Sequence, residues 1–349
     1  MTIDDAYLTK FLVDLLQAPS PTGDTERGIA CIEAALNALS IPSTRTRKGA
    51  LVATLPGLSH TALRGITAHV DTLGAMVKDI RPNGRLILTQ LGSYAWNAIE
   101  GEYVTVSTHA HGTIRGTVQP VQASVHVHGA AVGEAKRDAA SLEVRLDART
   151  SSPEETRALG IGVGDFVSLD PRVEQVNGFI KSRHLDDKAG VACVLAAVKA
   201  LLDAKQIPAQ ATTLHFSPYE EVGHGAASGF APDMAELLTV DMAAIGQGQT
   251  SDEYHCTLCV KDSGGPYSID FNRRLRRPAQ DNAIDLKTDI YPSYGSDGEA
   301  LWRAGADVQV ALVGPGVDAS HGCERTHRDA LVDTARLIGY YLLVGQGNA

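Results

Sequence analysis

The most restrictive feature of the sequence is a long internal stretch whose pattern differs from that of the chain on either side. From about Thr72 to about Arg172, short Val-, Thr- and Ile-rich segments are separated by glycines at close intervals. This spacing predicts a small all-β barrel or sandwich. Outside the stretch, strand-like and helical segments alternate, which predicts a largely parallel sheet covered by helices on both faces. We therefore predict a mixed α/β domain formed by residues 1–71 and 173–349, with a small β-barrel domain, residues 72–172, inserted into it.

Hydrophobic periodicity locates the main elements of both parts. Apolar residues at helical spacing predict long helices at 6–16, 25–39, 188–204 and 330–343. Short apolar runs predict strands of the main sheet at 51–55, 63–68, 212–216, 237–240 and 308–313. In the inserted part, similar runs predict strands at 85–88, 103–107, 113–118 and 124–128, and a helical pattern covers only 153–158.

Composition narrows the class of protein. The chain has 349 residues, 44% of them hydrophobic, and a formal net charge of −10 from 31 basic and 41 acidic residues. An acidic chain lacks the clustered cations of a nucleic-acid or anionic-membrane surface, and no apolar run approaches the ~20 residues of a membrane span. The N-terminal segment carries acids where a secretory signal would carry cations, and the five cysteines are scattered. We therefore expect a cytoplasmic protein without a disulfide framework and without nucleic-acid or membrane partners.

Residue types that bind divalent metals follow the predicted strands of the main sheet or begin the helix at 188–204. These residues are His69, Asp71, Asp186, Asp187, Glu220, Glu221, Asp241 and His321. In an open parallel sheet, functional sites lie beyond the carboxyl ends of the strands. Residues distant in sequence are therefore expected to meet there and to form a metal site.

The composition of this group constrains the ion. Histidines with several carboxylates and no thiolate suit zinc, cobalt or manganese rather than a structural cysteine–zinc site. The ligands are too many for one tetrahedral ion but fit two ions that share a carboxylate. Several carboxylates packed together without cations would have to be partly protonated, whereas two divalent ions remove the repulsion and deprotonate a water molecule near neutral pH.

Each candidate alone also has an ordinary structural explanation. His69 could be a core histidine, Asp186 could be a helix N-cap, and Glu220 with Glu221 could be a solvated pair in a loop. The sequence gives the weakest support to Asp241 and His321 as ligands. Three further polar residues lie close to His321 in the sequence, namely Asp318, Glu324 and His327. The convergence of all these residues at one sheet edge favours the metal site.

The neighbouring acids Glu220 and Glu221 predict a division of roles. In a regular strand, adjacent side chains point to opposite faces. Pro218 and Gly223 predict that the chain leaves the strand here, so that both carboxylates can face the site. One could then bind metal while the other stays free to accept a proton and pass it to a leaving amine.

Taken in order, several segments resemble the co-catalytic metallo-aminopeptidases of the tetrahedral (TET) or glutamyl-aminopeptidase type. These segments are 68–74, 184–190, 220–223, 240–241 and 320–322, and the resemblance covers almost the whole chain. It implies a zinc-exopeptidase-like fold and an aminopeptidase that acts on short peptides with two zinc or cobalt ions per subunit. It also implies a homo-oligomer, from dimers up to a dodecamer, in which the inserted barrel is the dimerisation or oligomerisation domain.

The resemblance further implies a set of ligands. His69 and Asp241 would bind one ion, Glu221 and His321 would bind the other, and Asp186 would bridge the two. A cis peptide bond is expected after Asp186.

Three other residues receive roles from the same resemblance. Glu220 would be the general base, and Asp71 would hold the imidazole of His69 by a hydrogen bond. The segment Tyr294–Asp297 resembles the family's Gly-Thr-Asp segment, so Asp297 is expected to line the substrate pocket.

The sequence departs from the family pattern after His321, where it reads His-Gly-Cys-Glu-Arg-Thr-His instead of His-Ser-Pro. This variant resembles a branch associated with the osmoprotectant N-acetylglutaminylglutamine amide. An alternative substrate is therefore a small blocked dipeptide amide cleaved by the same chemistry. An alternative of another class is a non-catalytic oligomeric scaffold with a vestigial metal site.

Overall fold

The structure is a computed structural model that describes residues 1–109 and 112–345. The chain folds as two compact units, one formed by Met1–Asp71 with Val173–Ala349 and the other by Thr72–Arg172. We call them the α/β unit and the barrel unit.

The helices within the described residues are α1 (Asp5–Leu16), α2 (Glu26–Ala38), α3 (Val125–His128), α4 (Ala131–Glu134), α5 (Pro153–Ala158), α6 (Leu185–Asp203), α7 (Ile269–Asp281), α8 (Asp297–Arg303) and α9 (Arg328–Leu343). Two short 3-10 helices span Trp96–Ile99 and Glu220–Val222. None of the helices in this part of the chain is long and apolar enough to cross a membrane.

The strands, over the same described residues, are β1 (Ser43–Arg45), β2 (Leu51–Leu55), β3 (Ser59–His69), β4 (Gly74–Ile80), β5 (Leu86–Leu91), β6 (Tyr103–Ser107), β7 (Thr113–Pro120), β8 (Leu142–Leu146), β9 (Phe166–Leu169), β10 (Glu174–Val176), β11 (Phe179–Ser182), β12 (Gln210–Ser217), β13 (Met234–Val240), β14 (Ala243–Ala244), β15 (Cys256–Asp262), β16 (Gly265–Pro266), β17 (Lys287–Ile290), β18 (Gln309–Val317) and β19 (Glu324–His327).

The α/β unit is built on a ten-stranded mixed sheet. Eight strands follow the order β1-β2-β12-β3-β13-β18-β15-β16, β14 pairs with β18, and β17 pairs with β15. The central neighbours β12, β3, β13 and β18 are mutually parallel. Strands β10, β11 and β19 form a separate small sheet. The predicted mixed, largely parallel sheet flanked by helices is confirmed.

Helix α6 forms the centre of the core of the α/β unit. Its residues are buried almost without interruption from Leu185 to Leu201, as expected for a helix that is apolar on all sides. It packs against α1, α9 and the central strand β3. The backbone is not helical at Asp186 and Asp187, and the peptide bond between them is cis, as the resemblance implied. The first residues of α6 lie at the carboxyl edge of the sheet, where a carboxylate oxygen of Asp186 is 3.0 Å from Nε2 of His69.

The barrel unit is a closed barrel of six strands in the order β4-β5-β8-β7-β6-β9, paired antiparallel throughout. Its interior is filled by apolar side chains, among them Leu86, Val104, Val106, Val144 and Val167, each fully buried. The predicted inserted β-barrel is confirmed.

One predicted strand of the barrel unit is wrong. Within residues 124–128, Val125–His128 form the one-turn helix α3, which is followed by Gly129 with φ of 56°. Val125 and Val127 are 59% and 74% exposed. A strand at this position would need a partner strand to take up its backbone groups and an apolar surface to cover its valines. The alternation of valine and histidine therefore does not reflect a buried face.

Candidate metal centre

The candidate ligands lie at one edge of the main sheet because its central strands are parallel. β3 ends at His69, β13 is followed directly by Asp241, and β12 leads into the turn at Glu220–Val222. β18 leads into the loop that carries His321. The five ligands predicted from the sequence are thus brought into one neighbourhood.

Asp186 lies between the two histidines. One carboxylate oxygen is 3.0 Å from Nε2 of His69, and the other is 3.4 Å from Nε2 of His321. Ser320 Oγ lies 3.3 Å from the second oxygen. A carboxylate with its two oxygens directed at two separate imidazoles has the geometry that a bridging ligand requires.

The possible ligand atoms form two groups, and Asp186 belongs to one of them. Atoms of His69, Asp187 and Asp241 lie within 4.8 Å of one another, and so do atoms of Asp186, Glu221 and His321. Both groups combine imidazole nitrogen with carboxylate oxygens. This donor set fits a divalent cation that accepts nitrogen and oxygen ligands.

Asp187, which the sequence analysis left without a role, anchors the surrounding backbone. One of its oxygens accepts a hydrogen bond from the His69 N–H at 3.2 Å, and the other accepts from the Gly190 N–H at 3.1 Å. An added Cβ at Gly190 would lie 2.3 Å from this carboxylate, so glycine leaves the space that Asp187 occupies. The signal in the sequence was the doubled acid followed by Lys-Ala-Gly.

The tautomer of His69 follows from its partners. Nδ1 lies 2.9 Å from the backbone carbonyl oxygen of Asp71. A carbonyl only accepts, so Nδ1 carries a hydrogen, and Nε2 is the ring nitrogen directed at Asp186, where it can bind a metal ion once it is deprotonated. This is the orientation that a histidine ligand needs.

The Asp71 carboxylate does not hold the imidazole of His69 as expected. It accepts hydrogen bonds from the N–H groups of Glu220 at 3.0 Å and Glu221 at 3.2 Å, and from the Thr22 hydroxyl at 2.8 Å. Its oxygen nearest to Nδ1 of His69 is 3.6 Å away. The chain has left β3 before Asp71, so the side chain turns towards the 3-10 turn while the carbonyl faces the ring. Asp71 thus supports both the imidazole and the acidic pair, through different atoms.

Glu220 and Glu221 both face the centre. β12 ends at Ser217, and Gly223 adopts φ of 83° after the 3-10 turn, so the strand alternation ends before the acidic pair. Glu221 Oε2 lies 3.6 Å from Nε2 of His321, and Glu220 Oε2 lies 3.9 Å from Nε2 of His69. The Glu221 side chain is 4% exposed and that of Glu220 is 15% exposed. Glu220 is therefore the more accessible of the two.

Glu324 supports the loop that carries His321. Its carboxylate is fully buried and accepts from the N–H groups of Asp186 at 3.1 Å and His321 at 3.0 Å. His321 has φ of 62°, a left-handed conformation that is costly for a residue with a side chain. The hydrogen bond that the His321 N–H donates to Glu324 holds the backbone in this conformation. Glu324, one of the sequence neighbours of His321, thus orients ligands instead of replacing one.

Asp297 lies beneath the acidic loop. It is 2% exposed, one oxygen accepts from the Ala226 N–H at 2.8 Å, and the other accepts from the Thr67 hydroxyl at 3.3 Å. Both oxygens are thus directed at groups of the protein itself. The expectation that Asp297 lines the substrate pocket stays a prediction.

The electrostatics of the centre are those of crowded, buried carboxylates. Burial, reinforced by the negative charge of Asp186, raises the pKa of Glu221 to about 8. Burial also raises the pKa of Glu220 and of Asp241 well above the usual carboxylate range. Burial acts in the same direction on Asp186, but hydrogen bonds from His321 and His69 outweigh it and lower the pKa of that group. Divalent cations would relieve this excess of negative charge.

The second carboxylate oxygen of Glu221 is also available to bind a cation. Oε1 is buried and has no hydrogen-bond partner among the described residues. A buried carboxylate oxygen without a partner is costly, and a metal ion between Glu221, His321 and Asp186 would satisfy it. The residues at this edge of the sheet therefore fit the binding of divalent metal.

An α/β fold with histidine and carboxylate ligands gathered beyond the carboxyl ends of parallel strands is the arrangement of a metal-dependent hydrolase. Comparison with known proteins specifies the class further. The M42 glutamyl aminopeptidase family matches residues 49–337. The Bacillus subtilis (strain 168) protein "Putative aminopeptidase YhfE" is 47% identical over 336 residues, which cover 95% of this chain and 96% of that protein. The chain belongs to the M42 glutamyl aminopeptidase family, and it is a peptidase.

Solved structures show the same fold at low sequence identity. The TET aminopeptidase of the marine sediment archaeon Thaumarchaeota archaeon SCGC AB-539-E09 has a TM-score of 0.87 at 16% identity, over 96% of both chains. The Pyrococcus horikoshii TET1 peptidase, which can assemble into a tetrahedron or a large octahedral shell, has a TM-score of 0.84 at 21% identity. That similarity covers 96% of this chain and 99% of the TET1 chain.

Proposed function

We propose that this chain is a dinuclear metal-dependent aminopeptidase that hydrolyses the N-terminal peptide bond of short peptides. The observation that supports this most strongly is the position of Asp186, whose two oxygens lie 3.0 Å and 3.4 Å from the imidazoles of His69 and His321. A carboxylate placed in this way can be shared by two cations, and further carboxylates flank it on each side.

His69 and Asp241 would hold the first ion, Glu221 and His321 the second, with Asp186 shared by both. Zinc or cobalt suits these ligands. When bound, such a pair of ions polarises a carbonyl and lowers the pKa of a water molecule to near neutrality. Asp187 is not needed as a ligand in this assignment, because its oxygens already accept two backbone N–H groups.

Glu220 would act as the general base. It is on the same turn as Glu221 but is more exposed, and its carboxylate reaches to 3.9 Å from Nε2 of His69. A carboxylate at this position can take a proton from the attacking water and deliver it to the leaving amine. The negative charge around the site would also favour a substrate with a free α-amino group, as an aminopeptidase requires.

Assembly and location form part of the same proposal. The TET1 peptidase of Pyrococcus horikoshii can assemble into a tetrahedron or a large octahedral shell, and we propose a homo-oligomer for this chain too, with the barrel unit as a contact domain. A cytoplasmic location is supported by five cysteines that are all free thiols, since exported proteins commonly pair theirs.

Metal analysis of the purified protein tests the dinuclear centre. We expect about two equivalents of zinc or cobalt per chain after reconstitution, as two sets of imidazole and carboxylate ligands predict. His69→Ala should lose metal, and Lys10→Ala, an exposed residue of α1, is the matched control that should retain it. Retention of both ions by His69→Ala would contradict the ligand assignment.

Hydrolysis assays test the chemistry and the substrate. Glu220→Gln should bind metal as the wild type does and should lose activity by ~100-fold or more, because general-base catalysis is removed. Free aminoacyl-anilides and an N-acetylated glutamine dipeptide amide should be compared as substrates. Turnover of the blocked amide alone would replace the general aminopeptidase with the osmolyte hydrolase. No turnover of any peptide or amide by the metal-loaded wild type would favour the scaffold alternative.

A further inference from the structure

The loop that carries Glu220 and Glu221 is irregular and is held in place by side chains from distant parts of the chain. Between the end of β12 and the start of β13, the 3-10 turn at Glu220–Val222 is the single regular element within the described residues. Asp71 accepts from the first two N–H groups of this turn. Lys48 donates to the carbonyl oxygens of His224 and Gly225. The negative carboxylate of Asp71 and the positive ammonium group of Lys48 thus hold neighbouring parts of the loop.

Asp297 supplies the third attachment of this loop. It begins α8, far along the chain from β12, and accepts from the Ala226 N–H at 2.8 Å. Its other oxygen accepts from the hydroxyl of Thr67 at 3.3 Å. Thr67 lies on β3 two residues before His69, so one buried carboxylate links the acidic loop to the strand that carries a candidate ligand.

Thr67 also contacts a buried histidine of β12. Its hydroxyl oxygen lies 3.2 Å from Nδ1 of His215, which is fully buried, and burial lowers the pKa of this imidazole to about 4. The Asp297 carboxylate is thus part of a buried polar cluster that joins β3, β12 and the acidic loop.

The loop backbone packs directly on this carboxylate. A Cβ added at Gly225 would lie 2.2 Å from Oδ1 of Asp297 and 2.1 Å from Oγ of Ser217. The same Cβ would be 2.9 Å from the backbone nitrogen of Glu220. Glycine is thus required at this close approach, and no space remains between Asp297 and the loop for part of a substrate.

We propose that Asp297 is a positioning residue, which fixes the loop so that Glu220 and Glu221 keep their places at the centre, and that it does not bind substrate. This role rests on the proposed function, because it concerns the general base and one metal ligand. In the positioning role, the Asp297 carboxylate acts through its shape and its hydrogen bonds. Binding of a substrate amine would depend instead on its negative charge.

Two variants separate shape from charge. Asp297→Asn removes the charge but keeps the shape, because its oxygen can still accept from the Ala226 N–H and its amide can donate to Thr67. Asp297→Glu keeps the charge but lengthens the side chain against a loop that has no free space. We expect Asp297→Asn to keep kcat and KM for an aminoacyl-anilide within about threefold, and Asp297→Glu to lower kcat by ~10–100-fold, as small displacements of catalytic groups do.

The visible spectrum of the cobalt-loaded protein provides a readout that does not depend on activity. Asp297→Asn should retain the wild-type absorption bands, and Asp297→Glu should change them, because Glu221 moves with the loop. The inference is overturned if Asp297→Asn raises KM by tenfold or more with kcat unchanged, or if Asp297→Glu matches the wild type in both kcat and spectrum. If Asp297→Glu does not fold, the Asp297→Asn result alone decides between the two roles. A metal-loaded wild type without activity would contradict the proposed function, while the cobalt spectra would still test the positioning role.

Discussion

At the scale of single residues, Asp71 shows how one buried carboxylate can order several parts of a site. Its oxygens accept from the N–H groups of Glu220 and Glu221 and from the hydroxyl of Thr22, while its carbonyl fixes the ring of His69. Burial raises the pKa of the Asp71 carboxyl group, and the hydrogen bonds act in the opposite direction. The geometry of the acidic pair therefore depends on a residue that is itself fully buried.

Full activity should require the carboxylate of Asp71. Asp71→Asn places an amide donor opposite a backbone N–H group, so the turn that carries Glu220 should shift, and kcat should fall by ~10–100-fold, the usual effect of losing a residue that orients ligands. Steady-state kinetics measures the effect. Thr22→Val is the matched control: it removes one hydrogen bond to Asp71, costs about 1 kcal/mol of stability and should leave kcat within a few-fold. Equal kcat values in Asp71→Asn and the wild type would show that the turn does not need the carboxylate.

At the scale of elements, α6 shows which parts of a structure a sequence can predict. The apolar pattern predicted a helix at 188–204, and the structure has α6 at Leu185–Asp203. The central strands were also predicted, because a buried parallel strand is a continuous apolar run whatever its neighbours are. At 124–128 the pattern was wrong, because alternation of two residue types predicts a strand only if a partner strand and a covered face exist.

The stability of the α/β unit should depend on the buried side chains of α6. Leu195 is fully buried on α6, and Leu202 on the same helix is 42% exposed. Leu195→Ala should lower the free energy of unfolding by ~2–5 kcal/mol, since it removes buried methyl groups and leaves a cavity. Leu202→Ala should change it by less than about 1 kcal/mol. Urea unfolding followed by circular dichroism compares the two, and similar losses in both variants would mean that α6 is not the centre of the core.

At the scale of the whole molecule, the sheet topology explains why candidate ligands could be chosen from the sequence and their supports could not. Parallel strands bring their carboxyl ends to one edge, so residue type and position after strands made His69, Glu221 and Asp241 candidates, and the resemblance to a family supplied their proposed roles. Supporting contacts join residues without a local pattern. Asp297 contacts Ala226 and Thr67, and Arg64 forms a buried ion pair of 2.6 Å with Glu236, which is 172 residues away in the sequence. Such pairs follow from the packed fold and leave no periodic signal in the sequence.

The pH dependence of stability is a property of the whole molecule to which one carboxyl group should contribute measurably. Burial, reinforced by Asp262, raises the pKa of Glu299 from 4.5 to about 7, although Arg303 lies 2.9 Å away. The folded state therefore holds a proton on Glu299 at pH values where the unfolded chain has released it. This contribution to stability is fully present below pH 4.5 and is lost as the pH rises to about 7.

Glu299→Gln isolates this contribution, because glutamine resembles the protonated acid and does not titrate. Relative to the variant, the wild type should lose stability on the order of 2 kcal/mol between pH 4.5 and pH 7, measured as the difference between two urea-unfolding curves at each pH. The carboxylates of the metal centre titrate in both proteins, so their effects cancel in this difference. Glu154→Gln, at an exposed position of α5, should show no such trend. Parallel stability profiles for Glu299→Gln and the wild type would mean that Glu299 is already ionised in the folded protein throughout this range, with Arg303 compensating its burial.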